Sequence, residues 1–287
     1  MIGVRNAIRG RGLLGLVITL ILASTLVAEA QELAADGVRE LNIVAQDTTV
    51  YGLDLYGKSR LGDIVSELAR LNPSGWVRIL YANPAHLEGD VIDALEGGFP
   101  IVPYLDLPLQ HINDRLLTSM GRNVTRARVE ALIKELRSRV AGIFIRTAFI
   151  IGFPGETERE FAELMDFVES TRFERLGAFP YSHEEGTRAY DFDGQVSEQE
   201  KYQRLDRLMA VQKTIALEQN SALVGKSLAG IIDAPSGRDD LKLAGRLYGD
   251  APEVDGTVFT ALGEAGSIVT FEITGVEDYD LVAEVVA

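Results

Sequence analysis

Apolar positions along this chain fall into two kinds of run that alternate. Short, nearly continuous apolar stretches at Val38 to Ala45, Trp76 to Tyr81, Ile101 to Leu105, Gly142 to Ile151 and Phe173 to Phe179 have the length and make-up of buried strands. Between them apolar residues recur every three or four positions. Leu61, Ile64, Val65 and Leu68 make one helical stripe, and Val129, Leu132, Ile133, Leu136 and Val140 make another. Thr157 and Glu160 have capping-box spacing ahead of Phe161, Leu164, Met165 and Val168, which starts a helix directly after Gly152-Phe153-Pro154-Gly155-Glu156. Strand and helix in alternation predict parallel βα units. Five such units are too few to close an eight-stranded barrel, so the expected class is α/β, an open partial (β/α) barrel.

The pattern changes after a polar stretch from His183 to Gln195. Ser197 and Glu200 repeat the capping-box spacing at the head of a long helix through Leu205, Leu208, Met209 and Ile215, which reads as a bridge. Past Leu223 come short apolar runs, Leu228 to Ile232, Leu241 to Leu247, Thr257 to Ala261, Ile268 to Ile273 and Leu281 to Val286, set apart by Gly, Pro and Asp. They predict a small five-stranded, all-β barrel of the OB-like kind. The expected units are therefore a leader at 1–27, the partial barrel at 28–196, the bridging helix at 197–221 and the small barrel at 222–287. In the leader, Arg5, Arg9 and Arg11 precede an apolar run from Leu13 to Val27, and Ala28-Glu29-Ala30 has the form of a signal-peptidase site. The run is shorter than the ~20 residues a helix needs to cross a bilayer. The favoured reading makes Leu16 to Leu22 a buried strand or helix, because cleavage after Ala30 would cut into a helix. An exported or membrane-tethered protein is the competing reading.

With 46% hydrophobic and 25% charged residues among 287, the composition is that of an ordinary folded protein. Twenty-eight Lys and Arg against 43 Asp and Glu give a formal charge of −15, which disfavours unassisted nucleic-acid binding and suits a basic protein partner. The excess is steep from Ala222 onward, where Lys226, Arg238, Lys242 and Arg246 stand against twelve carboxylates. The chain has no cysteine, which excludes disulfides and thiolate metal sites, and its histidines, His86, His111 and His183, are too few for a histidine metal site. His111 reads as hydrogen-bonded structure and His183 as solvent-facing.

Four segments stand where strands end and loops begin: Glu40 to Thr49 (ELNIVAQDTT), Val102 to His111 (VPYLDLPLQH), Arg146 to Thr157 (RTAFIIGFPGET) and Phe179 to Ser182 (FPYS). In barrels of this type ligands lie at the carboxyl ends of strands. Gln46, Asp47 and Gln110 offer amide and carboxylate partners to a nucleoside, Gly152, Pro154 and Gly155 let the backbone approach a flat base, and Arg146 has the fork to pair with a carboxylate. Taken singly, Arg146 reads equally as a salt-bridge partner, Tyr181 as a buried aromatic, and Gly152 to Thr157 as a turn with a helix cap.

In order and spacing these segments resemble the radical S-adenosylmethionine methylthiotransferases, from about Ala28 to the end. Within them the resemblance is to the branch that modifies an aspartate of a small-subunit ribosomal protein, on Tyr104 to Asp114 and Gly245 to Gly256. The resemblance implies a radical SAM partial barrel followed by a TRAM module. It also implies an S-adenosylmethionine pocket lined by Gln46, Asp47, Gln110, Arg146, Gly152, Pro154, Gly155, Glu156 and Tyr181, and a cytoplasmic, monomeric enzyme with a basic ribosomal protein as partner. The family holds a 4Fe-4S cluster on three cysteines of the first barrel strand, and this chain supplies none. The expectation is a truncated or wrongly started methylthiotransferase body, inactive as it stands, with no catalytic and no metal-binding residue. A non-catalytic acidic module that docks on a basic ribosomal protein is the alternative. The strand from Val38 would be a bare edge unless residues 13 to 27 cover it.

Overall fold

The computed structural model describes residues 2–5 and 23–286. The apolar stretch from Leu13 to Leu22, expected to form a buried strand or helix, lies outside the described residues. A six-stranded sheet runs in the order β1 (Ile2–Arg5), β2 (Glu40–Ala45), β3 (Trp76–Ile79), β4 (Ile101–Asp106), β5 (Phe144–Ile151) and β6 (Arg175–Pro180). Strands β2 to β6 are parallel neighbours, and β1 pairs antiparallel with β2, Ile2 opposite Ala45. Residues 2–5 thus cover the edge of β2, and the sheet has a sixth strand that the apolar pattern did not announce.

Helices α1 (Ala23–Ala35), α2 (Leu53–Tyr56), α3 (Leu61–Leu71), α4 (Gly89–Glu96), α5 (Asp114–Ser119), α6 (Arg126–Arg139) and α7 (Glu158–Thr171) connect the strands. Ala28 to Ala30 sit inside α1, with Ala30 fully buried. The local signals for two of these helices are realised: Leu61, Ile64, Val65 and Leu68 are the buried stripe of α3, and α7 carries a complete capping box between Thr157 and Glu160. Among the described residues no helix is long and apolar enough to cross a membrane.

Period-two alternation divides the strands between two environments. Leu41, Ile43, Val77, Ile79, Leu105, Ile145, Phe149 and Ile151 point toward the helices and join one large core, in which Phe149 packs edge-on to Phe173. The alternate residues, Asn42, Arg78, Tyr104 and Arg146 among them, face the other side. The helix α8 (Glu198–Ser221), whose Leu208 and Ile215 join the large core, leads to a closed barrel of β7 (Ser227–Pro235), β8 (Leu243–Leu247), β9 (Val258–Thr260), β10 (Ile268–Glu277) and β11 (Asp280–Val286), ordered β10-β11-β9-β8-β7. Closure removes free edges from this unit.

Trp76, Val102, Tyr104 and Phe144 of the sheet pack with Ile231, Tyr248 and Ala251 of the barrel in a shared apolar seam. Tyr248 meets Phe144 edge-on at 5.4 Å and donates to the Gly142 carbonyl at 2.9 Å. Gly249 lies flat against the Phe144 ring, where any Cβ would overlap it. Around this seam runs a buried ionic network. Glu40, with no exposed surface, accepts from Arg78 at 2.7 Å and also from Arg246, and Arg175 pairs with Asp250 at 2.5 Å. Sheet and barrel therefore share both apolar and charged contacts.

Candidate functional site

At the carboxyl ends of β2 to β6 the loops enclose a cavity of about 1080 Å³. Gln46 and Asp47 enter from the end of β2, Tyr81, Asn83 and His86 from the end of β3, and Gln110 from beyond β4. Arg146, Ala148 and Ile150 come from the inward face of β5, and Phe179 and Tyr181 from the end of β6. Five of the residues singled out by sequence, Gln46, Asp47, Gln110, Arg146 and Tyr181, therefore converge.

The backbone at these ends is held in an unusual form. Gln110 has φ of 70° and Tyr81 has φ of 55°, both in the left-handed region that side-chain-bearing residues seldom adopt. Gln110 is locked there because its N–H donates to Ala148 O and its carbonyl accepts from Ile150 N, each at 2.9 Å, which ties the loop to β5. Such conformations persist only where their surroundings over-determine them, and they gather at ligand sites.

Asp47 is the acidic pole of the cavity. Burial alone would raise its carboxyl, but hydrogen bonds from Thr49, His86 and Asn83 outweigh that and hold it below the usual range. Asn83 Nδ2 lies 3.0 Å and His86 Nδ1 3.1 Å from its Oδ2. Arg122, on the loop after α5, is the basic pole. Burial lowers its pKa, the Asp47 charge opposes that change, and its guanidinium makes no hydrogen bond to the described residues. Arg146 differs: its Nη1 donates to Asp106 at 2.9 Å and its Nε to Asp255 of the terminal barrel at 3.2 Å. The salt-bridge reading of Arg146 is thus the observed one, although the side chain also borders the cavity.

Gly152, Pro154, Gly155 and Glu156 are not among the residues that border this cavity. Gly152, at φ of 72°, faces Lys201 of α8, and a Cβ there would overlap the Lys201 Cγ. Pro154 is buried, and Gly155 donates from its N–H to Gly194 O at 2.8 Å. The Glu156 carboxylate accepts from Gly152 N–H at 2.9 Å and from Arg204 Nη1 at 2.7 Å. This turn anchors α8 to the sheet. Beneath it His111 is fully buried; its Nδ1 accepts from Asn113 N–H at 3.0 Å, and burial pushes its pKa down to about 4, so it is a neutral, hydrogen-bonded residue. His183 is exposed and stacks on Tyr190 at 4.2 Å.

Sequence reasoning missed Tyr81, Asn83, His86, Arg122, Phe179 and Val254, all of which border the cavity. Only Gly121-Arg122-Asn123 carried a usable signal, a polar glycine turn between two helices. Among the described residues no group of three or more His, Cys, Asp or Glu is placed to hold a metal ion.

A parallel half-barrel with a polar cavity at the carboxyl ends of its strands, joined to a small closed β-barrel, defines an α/β scaffold of two joined units. Residues 19–168 match the Radical SAM superfamily and residues 224–286 the TRAM domain, and the chain belongs to the radical SAM superfamily. It is 45% identical over 263 residues to the ribosomal protein uS12 methylthiotransferase RimO of Myxococcus xanthus (strain DK1622), an alignment that takes in 91% of this chain and 55% of that protein. The protein of the same name from Anaeromyxobacter sp. (strain K) is 46% identical over 91% of this chain and 56% of its own length. That from Geotalea uraniireducens (strain Rf4) is 43% identical, over 91% and 59%. The chain thus spans between 55% and 59% of the length of these relatives.

Proposed function

We propose that this chain is the nucleoside-binding body of a methylthiotransferase of the kind its relatives are named for, acting on an aspartate of a small-subunit ribosomal protein. The observation that supports this is the convergence of Gln46, Asp47, Gln110, Arg146 and Tyr181 on one cavity. Its donor set suits S-adenosylmethionine. Arg122, with no hydrogen bond to the described residues, would take the methionyl carboxylate, Gln110 and Asn83 the sugar and amino groups, and Ala148, Ile150 and Phe179 the face of the base. Bound S-adenosylmethionine supplies the methyl group and, when reduced, a carbon radical. The 4Fe-4S cluster that reduces it in this superfamily does not fit these residues, since its ligands are thiolates and the chain has no cysteine. No redox step is assigned to this chain, which is expected to bind without reacting.

Exposed Glu253, Glu264, Glu272 and Glu284 support the terminal barrel as the docking surface for a basic ribosomal protein. They equally support the reading of a non-catalytic docking module. Calorimetric titration separates the two. S-adenosylhomocysteine should bind the intact chain, Arg122→Gln should weaken it by about tenfold, and 5′-methylthioadenosine, which lacks the carboxylate, should change by less than about twofold. Absence of binding by both ligands would refute the cavity reading, and capture of purified small-subunit protein in that case would favour the docking module.

A further inference from the structure

The large cavity has an inner annex of about 130 Å³, bordered by Asn42, Tyr104 and Asp106 of the sheet and by residues 251–254 of the terminal barrel. Tyr81, Arg146 and Val254 border both spaces. The loop that reaches in is tightly specified. Glu253 sits at φ of 69°, and the Asp255 Oδ2 accepts from Ala251 N–H at 2.9 Å and from the Tyr104 hydroxyl at 3.0 Å. Its Oδ1 takes the Arg146 Nε–H at 3.2 Å, while Asp106 takes Nη1 from the opposite side at 2.9 Å.

We propose that the Ala251–Asp255 loop is a wall of the ligand cavity, and that Asp255 is a positioning residue that holds and neutralises Arg146, so that the inner end of the cavity rejects anionic groups. The proposal rests on the nucleoside reading of the cavity and adds an orientation to it. Two arginines border the cavity: Arg146 is hydrogen-bonded to two carboxylates, whereas Arg122 feels the charge of Asp47 but makes no hydrogen bond to a carboxylate among the described residues. A ligand carboxylate is therefore directed to Arg122 at the outer loop, and its neutral end to Arg146. The terminal barrel contributes this selection through one loop, by charge cancellation in a partly desolvated place where charges are weakly screened.

The chain has no cysteine, so Val254→Cys places a sole thiol at a position 60% exposed, where the fold tolerates it. Bound 5′-methylthioadenosine, its occupancy measured separately by dialysis, should slow alkylation of that thiol by iodoacetamide about fivefold or more, since pockets bury most of a ligand's surface and cover their walls. Occupancy with an unchanged rate overturns the loop as a wall. The charge claim is read without nucleoside, from the rate with anionic iodoacetate divided by the rate with neutral iodoacetamide. Adding Asp255→Asn, which keeps an acceptor for Tyr104 and Ala251, should raise this ratio about three- to tenfold, and Arg146→Gln should lower it. A ratio unmoved by Asp255→Asn overturns the positioning role. Failure of the nucleoside to bind defeats the cavity reading alone, and the ratio still decides the loop.

Discussion

Gly152→Ala separates a glycine that serves a ligand from one that serves packing. Gly152 has φ of 72°, and the added methyl would be driven into the Lys201 Cγ from α8. The left-handed backbone costs an alanine roughly 1–2 kcal/mol, and overpacking adds about 1–3 kcal/mol, for a loss on the order of 2–5 kcal/mol. Lys201 cannot simply swing away, because its Nζ donates to the Tyr181 carbonyl at 2.9 Å and its side chain is only 2% exposed. Removing that side chain beyond Cβ with Lys201→Ala should relieve the overpacking and leave the backbone cost. In that background Gly152→Ala should cost only about 1–2 kcal/mol. Urea unfolding followed by fluorescence of Trp76, the sole tryptophan and a buried member of the apolar seam, provides the four stabilities of the cycle. The folded Gly152→Ala variant should retain its affinity for 5′-methylthioadenosine, since Gly152 does not border the cavity. Equal costs in both backgrounds, or a stable variant that no longer binds the nucleoside, would refute the packing account.

Thr157→Ala removes the hydroxyl that accepts from Glu160 N–H at the start of α7, and should cost about 1 kcal/mol in urea unfolding. The Arg115 guanidinium beside Glu160 holds that carboxyl down at about 2 against an ordinary 4.5. A carboxyl depressed on folding adds stability above its unfolded value and loses it as pH falls toward its folded value. The stability gap between the native chain and Arg115→Gln should therefore be full above pH 4.5 and close as pH approaches about 2, and a gap independent of pH would count against the pairing. Arg246→Leu leaves Glu40, with no exposed surface, one partner short, and should cost about 3–5 kcal/mol. In Glu40→Gln, where the fully buried carboxylate is gone and only Asp233 is left to lose its ion pair with Arg246, the same change should cost less, and equal costs would show that the pair is not coupled.

The strands of the parallel sheet were legible because their apolar runs are long and bounded. The run at Ile101 to Leu105 appears as Ile101–Asp106, and that at Gly142 to Ile151 as Phe144–Ile151. The helix starts at Thr157 and Ser197 were legible for a local reason, since each cap is made within three residues, Ser197 accepting from Glu200 N–H. The edge strand at Ile2–Arg5 has four residues, too few to show a period, and what places it is the unpaired edge of β2. The terminal barrel's five runs map onto β7 to β11, but their register depends on bulges such as that between Ile273 and Gly275, which no composition signals.

The site was legible only where a residue's neighbours in sequence decide its surroundings. Gln46, Asp47 and Gln110 follow strand ends directly, so the strand's direction carries them to the cavity. Gly152 announces a tight turn equally well whether the space opposite holds a base or a lysine, and it is Lys201 of α8, some fifty residues later, that fills it. The same limit applies to charge. Asp250 and Asp255 count toward an acidic terminal unit in any tally, yet both are spent on Arg175 and Arg146 of the sheet. Burial and the Asp250 charge push the Asp255 carboxyl up, and Ala251 N–H, Arg146 and Arg175 offset that only in part. Carboxylates that face solvent, such as Glu264 and Glu272, are those left for the proposed docking of a basic partner. The acidity of this unit thus serves two separate ends, and only the part that remains exposed should weaken its hold on a partner as salt is raised.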